Sequence, residues 1–243
     1  MRARAVLTVL TLMPVLLGAQ QGGRNQDTRP GIAVLPFNNG GTYGQGKEDF
    51  DALERGIAGM MISELSQNPA ARLVERQEVQ RLVDEQNLGA QGRVDPQTAS
   101  KIGKLVGARY MVMGTFVDFY GDFRVDVRLI NTETGEVVKT ESERMQRDHM
   151  FDIIRSIATR LMRDANLPAL QRGGAGGAGG AGGASEQRMG RQVPTEALTY
   201  YSRALLYTDH GQKDKAVEMF NRALAIFPGF TEAEEGLQKA KSS

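Results

Sequence analysis

The chain has 243 residues, enough for one medium domain and a small one. Its formal net charge is +1, Trp is absent, and no Lys/Arg run interleaves with Tyr or Phe, which argues against a nucleic-acid surface. Cysteine is absent too, which excludes disulfides, thiolate catalysis and Cys-ligated metals.

Residues 1–19 read as a secretory signal. Arg2 and Arg4 give the positive start, Ala5 to Leu17 the apolar run, and Leu17-Gly18-Ala19 the small-residue cut site. The run is too short to span a bilayer, and no later stretch is apolar for 18 residues. Loss of Arg2 and Arg4 takes the charge from +1 to −1, so the mature chain is near neutral. Residues 20–30 are polar and predicted to be disordered.

Gly31 to Phe37 (GIAVLPF) is an apolar run bounded by turn residues, which suits a buried strand. Lys47 to Gln67 predicts a helix, with Phe50, Leu53, Ile57, Met61 and Leu65 at three- and four-residue steps. Arg72 to Glu75 predicts a short strand, and Gln77 to Glu85 a helix with Val79, Leu82 and Val83 on one face. After a Gly-rich turn, Asp95 suits an N-cap and Pro96 the first helical position. The inner face of that helix is Ala99, Ile102, Leu105 and Val106. Arg109 to Phe119 reads as an apolar strand. Phe123, Val125, Val127 and Leu129 alternate with Arg124, Asp126 and Arg128, a strand with one wet face. The turn NTETG leads to a strand over Glu136 to Glu143, and Asp148 caps a helix with Phe151, Ile154, Ile157, Ala158 and Leu161 inward. Strands alternating with helices, then a meander, imply an α/β sandwich with a mixed sheet over 31–167.

Residues 168–193 break the pattern with a Gly-Gly-Ala repeat, read as a flexible tether with a root-mean-square span of roughly 28 Å. Residues 194–243 follow as a small all-α tail. Ala197 to Phe230 resembles a single tetratricopeptide repeat at Tyr200, Ala204, Tyr207, Ala216, Phe220, Ala223 and Pro228, and Thr231 to Lys241 suits a capping helix. The small residues admit close helix approach, Tyr200, Tyr207 and Phe220 fill the space between the helices, and Pro228 ends the second. One repeat is below the three or so of a stable array, so the tail is expected to stack on another copy, the main domain or a different protein. Tyr200, Arg203 and Tyr207 are its candidate partner-binding residues.

The sharpest enzyme-like feature is Gly41 to Glu48, which matches G-x-x-x-x-G-K. A phosphate loop needs Ser or Thr next, to reach Mg²⁺. Glu48 and Asp49 stand there instead and would repel phosphate, which favours a flexible surface loop before a self-capped helix. His149 and His210 lack carboxylate or histidine companions at metal-ligand spacing. Asp118, Asp122 and Asp126 read as solvated positions, and Met60, Met61, Met111 and Met113 as core. No catalytic residue, cofactor or metal site is assigned.

Four segments carry a resemblance to the CsgG family, the curli production assembly/transport component: GIAVLPF, LVERQEVQRLVDEQ, VDPQTASKIGKLVGARY and VDVRLINTETGEVV. The family-motif positions are Glu75, Arg76, Asp95, Pro96, Gly107, Ala108, Gly114 and Gly135. The resemblance implies a periplasmic α/β domain and an oligomer in export or surface assembly. Glu75 and Arg76 would form a local ion pair and cap. This sequence departs from the family's pore-formers. Gln20 follows the signal where a lipid-bearing Cys would stand, and neither DFYGDF nor KTESERMQRD is long and apolar enough for membrane-spanning hairpins.

The expectation is therefore a non-enzymatic, CsgG-like scaffold or adaptor of the cell envelope. It is periplasmic, with outer-membrane contact peripheral at most, and its repeat binds a protein partner. Two alternatives stand beside it: an outer-membrane secretion channel subunit, and a nucleotide-binding enzyme using Gly41 to Lys47.

Overall fold

The computed structural model describes residues 27–43, 47–86, 94–164 and 193–242. The expected signal over residues 1–19, residues 20–26 and 87–93, and the Gly-Gly-Ala segment lie outside them.

Six strands form one mixed sheet: β1 (Gly31–Val34), β2 (Asn38–Tyr43), β3 (Arg72–Leu73), β4 (Tyr110–Phe119), β5 (Asp122–Asn131) and β6 (Val137–Gln146). The order is β3-β1-β4-β5-β6, and β2 also pairs with β4. β1 runs parallel to β3 and β4, whereas β4, β5 and β6 form an antiparallel meander. The mixed α/β reading of the sequence holds.

α2 (Arg76–Glu85) and α3 (Pro96–Leu105) cover one face of the sheet through Val79, Val83, Ala99 and Ile102. α1 (Lys47–Ser66) and α4 (Met150–Asp164) cover the other, on Val112, Phe116, Phe123, Val125 and Val127. Because β4 is covered on both faces it reads as a continuous apolar run, while β5 keeps Arg124 and Arg128 exposed. A third helical layer, α5 (Thr195–Asp209), α6 (Lys213–Ile226) and α7 (Thr231–Ser242), lies outside α1 and continues the same core. No helix among the described residues is long and apolar enough to cross a membrane.

Several of the residues that carry the resemblance set the path of the chain. Asp95 caps α3, accepting from the Gln97 and Thr98 amides at 2.9 and 3.1 Å, with Pro96 in the first turn. These bonds, led by the one from the Thr98 hydroxyl, hold the Asp95 carboxyl below the usual range. α3 ends in a Schellman arrangement: Gly107 has φ +63°, its amide donates to Lys104 O, and the Ala108 amide donates to Gly103 O at 2.8 Å. The Arg109 amide then joins Gly31 O at 2.8 Å and starts β4 beside β1. At Gly114 a Cβ would lie 2.3 Å from the Phe37 ring. Gly135, with φ +76°, closes the β5–β6 turn by donating to Asn131 O.

Three local expectations are corrected. The start of the Gly41 to Glu48 loop is strand: β2 runs from Asn38 to Tyr43 on the half of β4 that β1 leaves unpaired, and Gly40 lets it sit against Thr115. Residues 44–46 lie outside the described residues. Asp118 is not solvated. Strand alternation sets it on the face of Val112 and Phe116, fully buried, with the Arg147 guanidinium donating to it at 2.5 and 2.8 Å. A 3-10 turn at Arg147–His149 precedes α4, and Asp148 accepts from Thr195 Oγ1 at 3.4 Å.

Candidate docking site between the sandwich and the C-terminal helices

α1 is apolar on two sides because two layers claim it. Phe50, Leu53 and Ile57 belong to the core under the sheet, while Gly56 and Gly59 turn to α5. A Cβ on Gly56 would lie 2.0 Å from Ser202 Oγ, and one on Gly59 would lie 2.5 Å from the Tyr201 hydroxyl. The two glycines thus bring the helices into backbone-close contact, at a cost in helix propensity of about 1 kcal/mol each.

The stripe of α5 facing this groove is Leu198, Tyr201, Ser202, Leu205 and Asp209, spaced for one helical face. Tyr201 is buried, with its ring 4.9 Å from Phe230 and 6.2 Å from Phe220. Burial, and then the nearby Glu232 carboxylate, push its phenol above the usual tyrosine range. Phe230 in turn meets Phe151 of α4 edge-on at 5.7 Å. Sandwich and tail therefore share one aromatic cluster.

Charges close the rim. Asp209, its side chain 3% exposed, accepts through Oδ2 from Arg76 Nη1 at 2.7 Å and from Arg55 Nε at 3.2 Å, while Arg76 Nη2 lies 2.7 Å from Oδ1 as an ion-pair contact. Hydrogen bonds from two guanidinium groups to one carboxylate oxygen are charge-assisted, and exclusion of water strengthens them. Lys239 of α7 reaches Glu75 at 3.4 Å, an exposed pair of small energetic weight. On the other side Ser63 Oγ donates to Glu232 at 3.4 Å, and Arg155 lies 3.6 Å from Glu64.

Glu75 and Arg76 therefore do not form a local pair and cap. Glu75 occupies the N-cap position of α2 without a side-chain cap bond, and both side chains reach the C-terminal helices. Ala204, Ala216, Ala223 and Phe220 pack the α5–α6 hairpin as a buried seam, and Pro228 lies exposed after α6. Tyr200 and Tyr207 sit half-buried at the hairpin's rim rather than between its helices. Arg222 lies over the first ring and Lys215 over the second. The large aromatic positions inside are filled by Tyr201, Phe220 and Phe230. Thr195, Glu196, Thr199, Tyr200 and Arg203 line a shallow depression of about 320 Å³ on the side of α5 turned from α1.

Sequence reading missed Arg55, Gly56, Gly59, Tyr201, Ser202 and Asp209. The one signal was GIAG within a long apolar helix, whose paired small residues are unnecessary for packing on a sheet. Among the described residues no group of three or more His, Asp or Glu is placed to hold a metal ion.

The class so defined is a mixed-sheet α/β sandwich with a helical appendage locked onto one of its own helices. Residues 18–123 match the model of the curli production assembly/transport component CsgG, a segment that contains β1 to β4 and α1 to α3. No curated protein matches the chain. Three similar solved structures are TolB from Acinetobacter baumannii, the LpoB C-terminal domain from Salmonella enterica, and a PelC dodecamer from Paraburkholderia phytofirmans. Identity to TolB is 15%, over 58% of this chain and 29% of that one, with TM-score 0.39, so the chain spans under a third of TolB. For LpoB the values are 22%, 48%, 82% and 0.35, and for PelC 12%, 58%, 89% and 0.37.

Proposed function

We propose that this chain is a non-enzymatic component of the bacterial cell envelope, a CsgG-family scaffold or adaptor in secretion or surface assembly, with its C-terminal helices presenting a protein-binding face. The family match over residues 18–123 supports the class. The signal-like first nineteen residues support a periplasmic location. The observation that carries the adaptor role is the orientation of α5. Tyr201, Ser202 and Leu205 are committed to α1, while Tyr200, Arg203 and Tyr207 follow a second stripe turned away from it. Aromatic and arginine side chains held on a rigid, docked helix suit recognition of a partner segment, because little side-chain or helix ordering remains to oppose binding.

The test uses the full chain expressed with its own signal. Wild type, the triple variant Tyr200→Ala/Arg203→Glu/Tyr207→Ala, and a chain ending at residue 192 are recovered from the periplasmic fraction with cross-linked partners. Loss of the same partners from the triple variant and the truncation supports the reading. Unchanged recovery by either, or retention of the chain in the cytoplasm, overturns it.

A further inference from the structure

We propose that α5–α7 of one copy dock on α1 of a second copy of this chain, through the same seam they make within one chain. The seam has every mark of a built receptor: two glycines that open α1 to α5, a buried carboxylate gripped by Arg55 and Arg76, and an aromatic cluster shared by both sides. Its Arg55–Asp209, Arg76–Asp209, Glu75–Lys239 and Ser63–Glu232 contacts join side chains more than 100 residues apart in sequence. Chain continuity enters only through residues 165–192.

That segment is longer than the distance it has to cover. It leaves the end of α4 at Asp164 and rejoins at Val193, two residues before Thr195 contacts Asp148 at the beginning of α4. The gap is thus about the length of α4, whose 15 residues rise roughly 22 Å. Twenty-eight residues can reach about 90 Å. About eight would suffice for docking within one chain, so the length leaves a neighbour's α1 within range. Receptor and docking helices are present in every copy, so mutual exchange closes into a symmetric pair that repeats the described contacts and requires no new surface. The partner's chemistry is fixed by the groove: a small residue over Gly56, an aromatic ring over Gly59, and a carboxylate at the Arg76 end.

The chain has no cysteine, which makes the test direct. Glu75→Cys and Lys239→Cys are placed in separate full-length chains carrying different tags. Both positions are exposed, 74% and 73%, so neither change disturbs the core. The two chains are co-expressed, purified at low concentration and treated with a short bismaleimide. A cross-linked product of two chain masses bearing both tags is expected, and Asp209→Arg in the Lys239→Cys chain should abolish it. Absence of a mixed product, while one chain carrying both cysteines cross-links internally at single-chain mass, overturns the proposal. A mixed product that survives Asp209→Arg also overturns it, because the contact would then lie elsewhere.

Discussion

Arg76 and Asp209 are 133 residues apart in sequence and meet at 2.7 Å, with side chains only 13% and 3% exposed. One residue opens α2 on the sandwich and the other ends α5 on the tail. Replacing Arg76 with Met removes both guanidinium contacts and leaves Asp209 buried with Arg55 alone. The expected loss is about 2–3 kcal/mol, the usual cost of deleting a charged hydrogen-bond partner. Urea unfolding followed by circular dichroism measures it. Limited proteolysis should show cleavage near residue 193 appearing before the sandwich itself is degraded. Equal resistance of wild type and variant would show that the pair does not hold the seam.

Two glycines predict a loss from the same substitution for different physical reasons, and the rescue experiments separate them. At Gly56 the backbone is helical, so Ala is favoured locally by about 1 kcal/mol. Its Cβ would nevertheless lie 2.0 Å from Ser202 Oγ, too close for two non-bonded heavy atoms, so one of them must shift. We expect Gly56→Ala to destabilise by about 1–3 kcal/mol net, as overpacking does. Gly56→Ala combined with Ser202→Gly should recover most of the loss, and thermal melts of the four-member cycle give the coupling.

At Gly107 the space is open, with nothing within 4 Å of where an alanine methyl would sit, but φ is +63°. Gly107→Ala should therefore cost about 1–2 kcal/mol through backbone conformation alone. No second-site change in a neighbouring side chain should rescue it. Rescue by such a change would show that contact, not conformation, is limiting.

Acid should weaken the attachment of β6 to α4. Arg160 of α4 donates to Glu143 at 2.8 Å and holds the Glu143 carboxyl below its ordinary value, with Ser156 donating at 3.0 Å. A depressed folded-state value means that the stabilisation is full above the ordinary value of about 4.5. It is then lost as pH falls through the lower, folded one. Glu143→Gln should melt about 1–3 °C below wild type at pH 7, a size set by the partial exposure of the pair. The gap should close as the solution is acidified well below pH 4.5. A gap independent of pH would assign it to shape rather than charge.

Much of the sandwich was legible in the residue pattern. Alternation in β5 and the Asp95-Pro96 start of α3 are local codes, read within a few residues, and the structure repeats them. The strand at Asn38–Tyr43 was not legible, because NNGGT carries no apolar alternation and its pairing comes from the unpaired half of β4. Asp118 was misjudged for a related reason. An acidic side chain on an inward strand face looks solvated until Arg147 is known to lie opposite it.

The sequence by itself determined most of the elements, the inward positions Val79, Val83, Ala99 and Ile102 (but not Leu105, which is 63% exposed), and the resemblance carried by residues such as Glu75, Arg76 and Gly107. Each depends on spacing or backbone preference along a few neighbouring residues. Only the tertiary structure decided that the C-terminal helices rest on α1, that Gly56 and Gly59 exist for that contact, and that Arg76 is spent on Asp209. Those outcomes depend on which distant surfaces fit one another, and neither charge nor helical period in either segment specifies its partner.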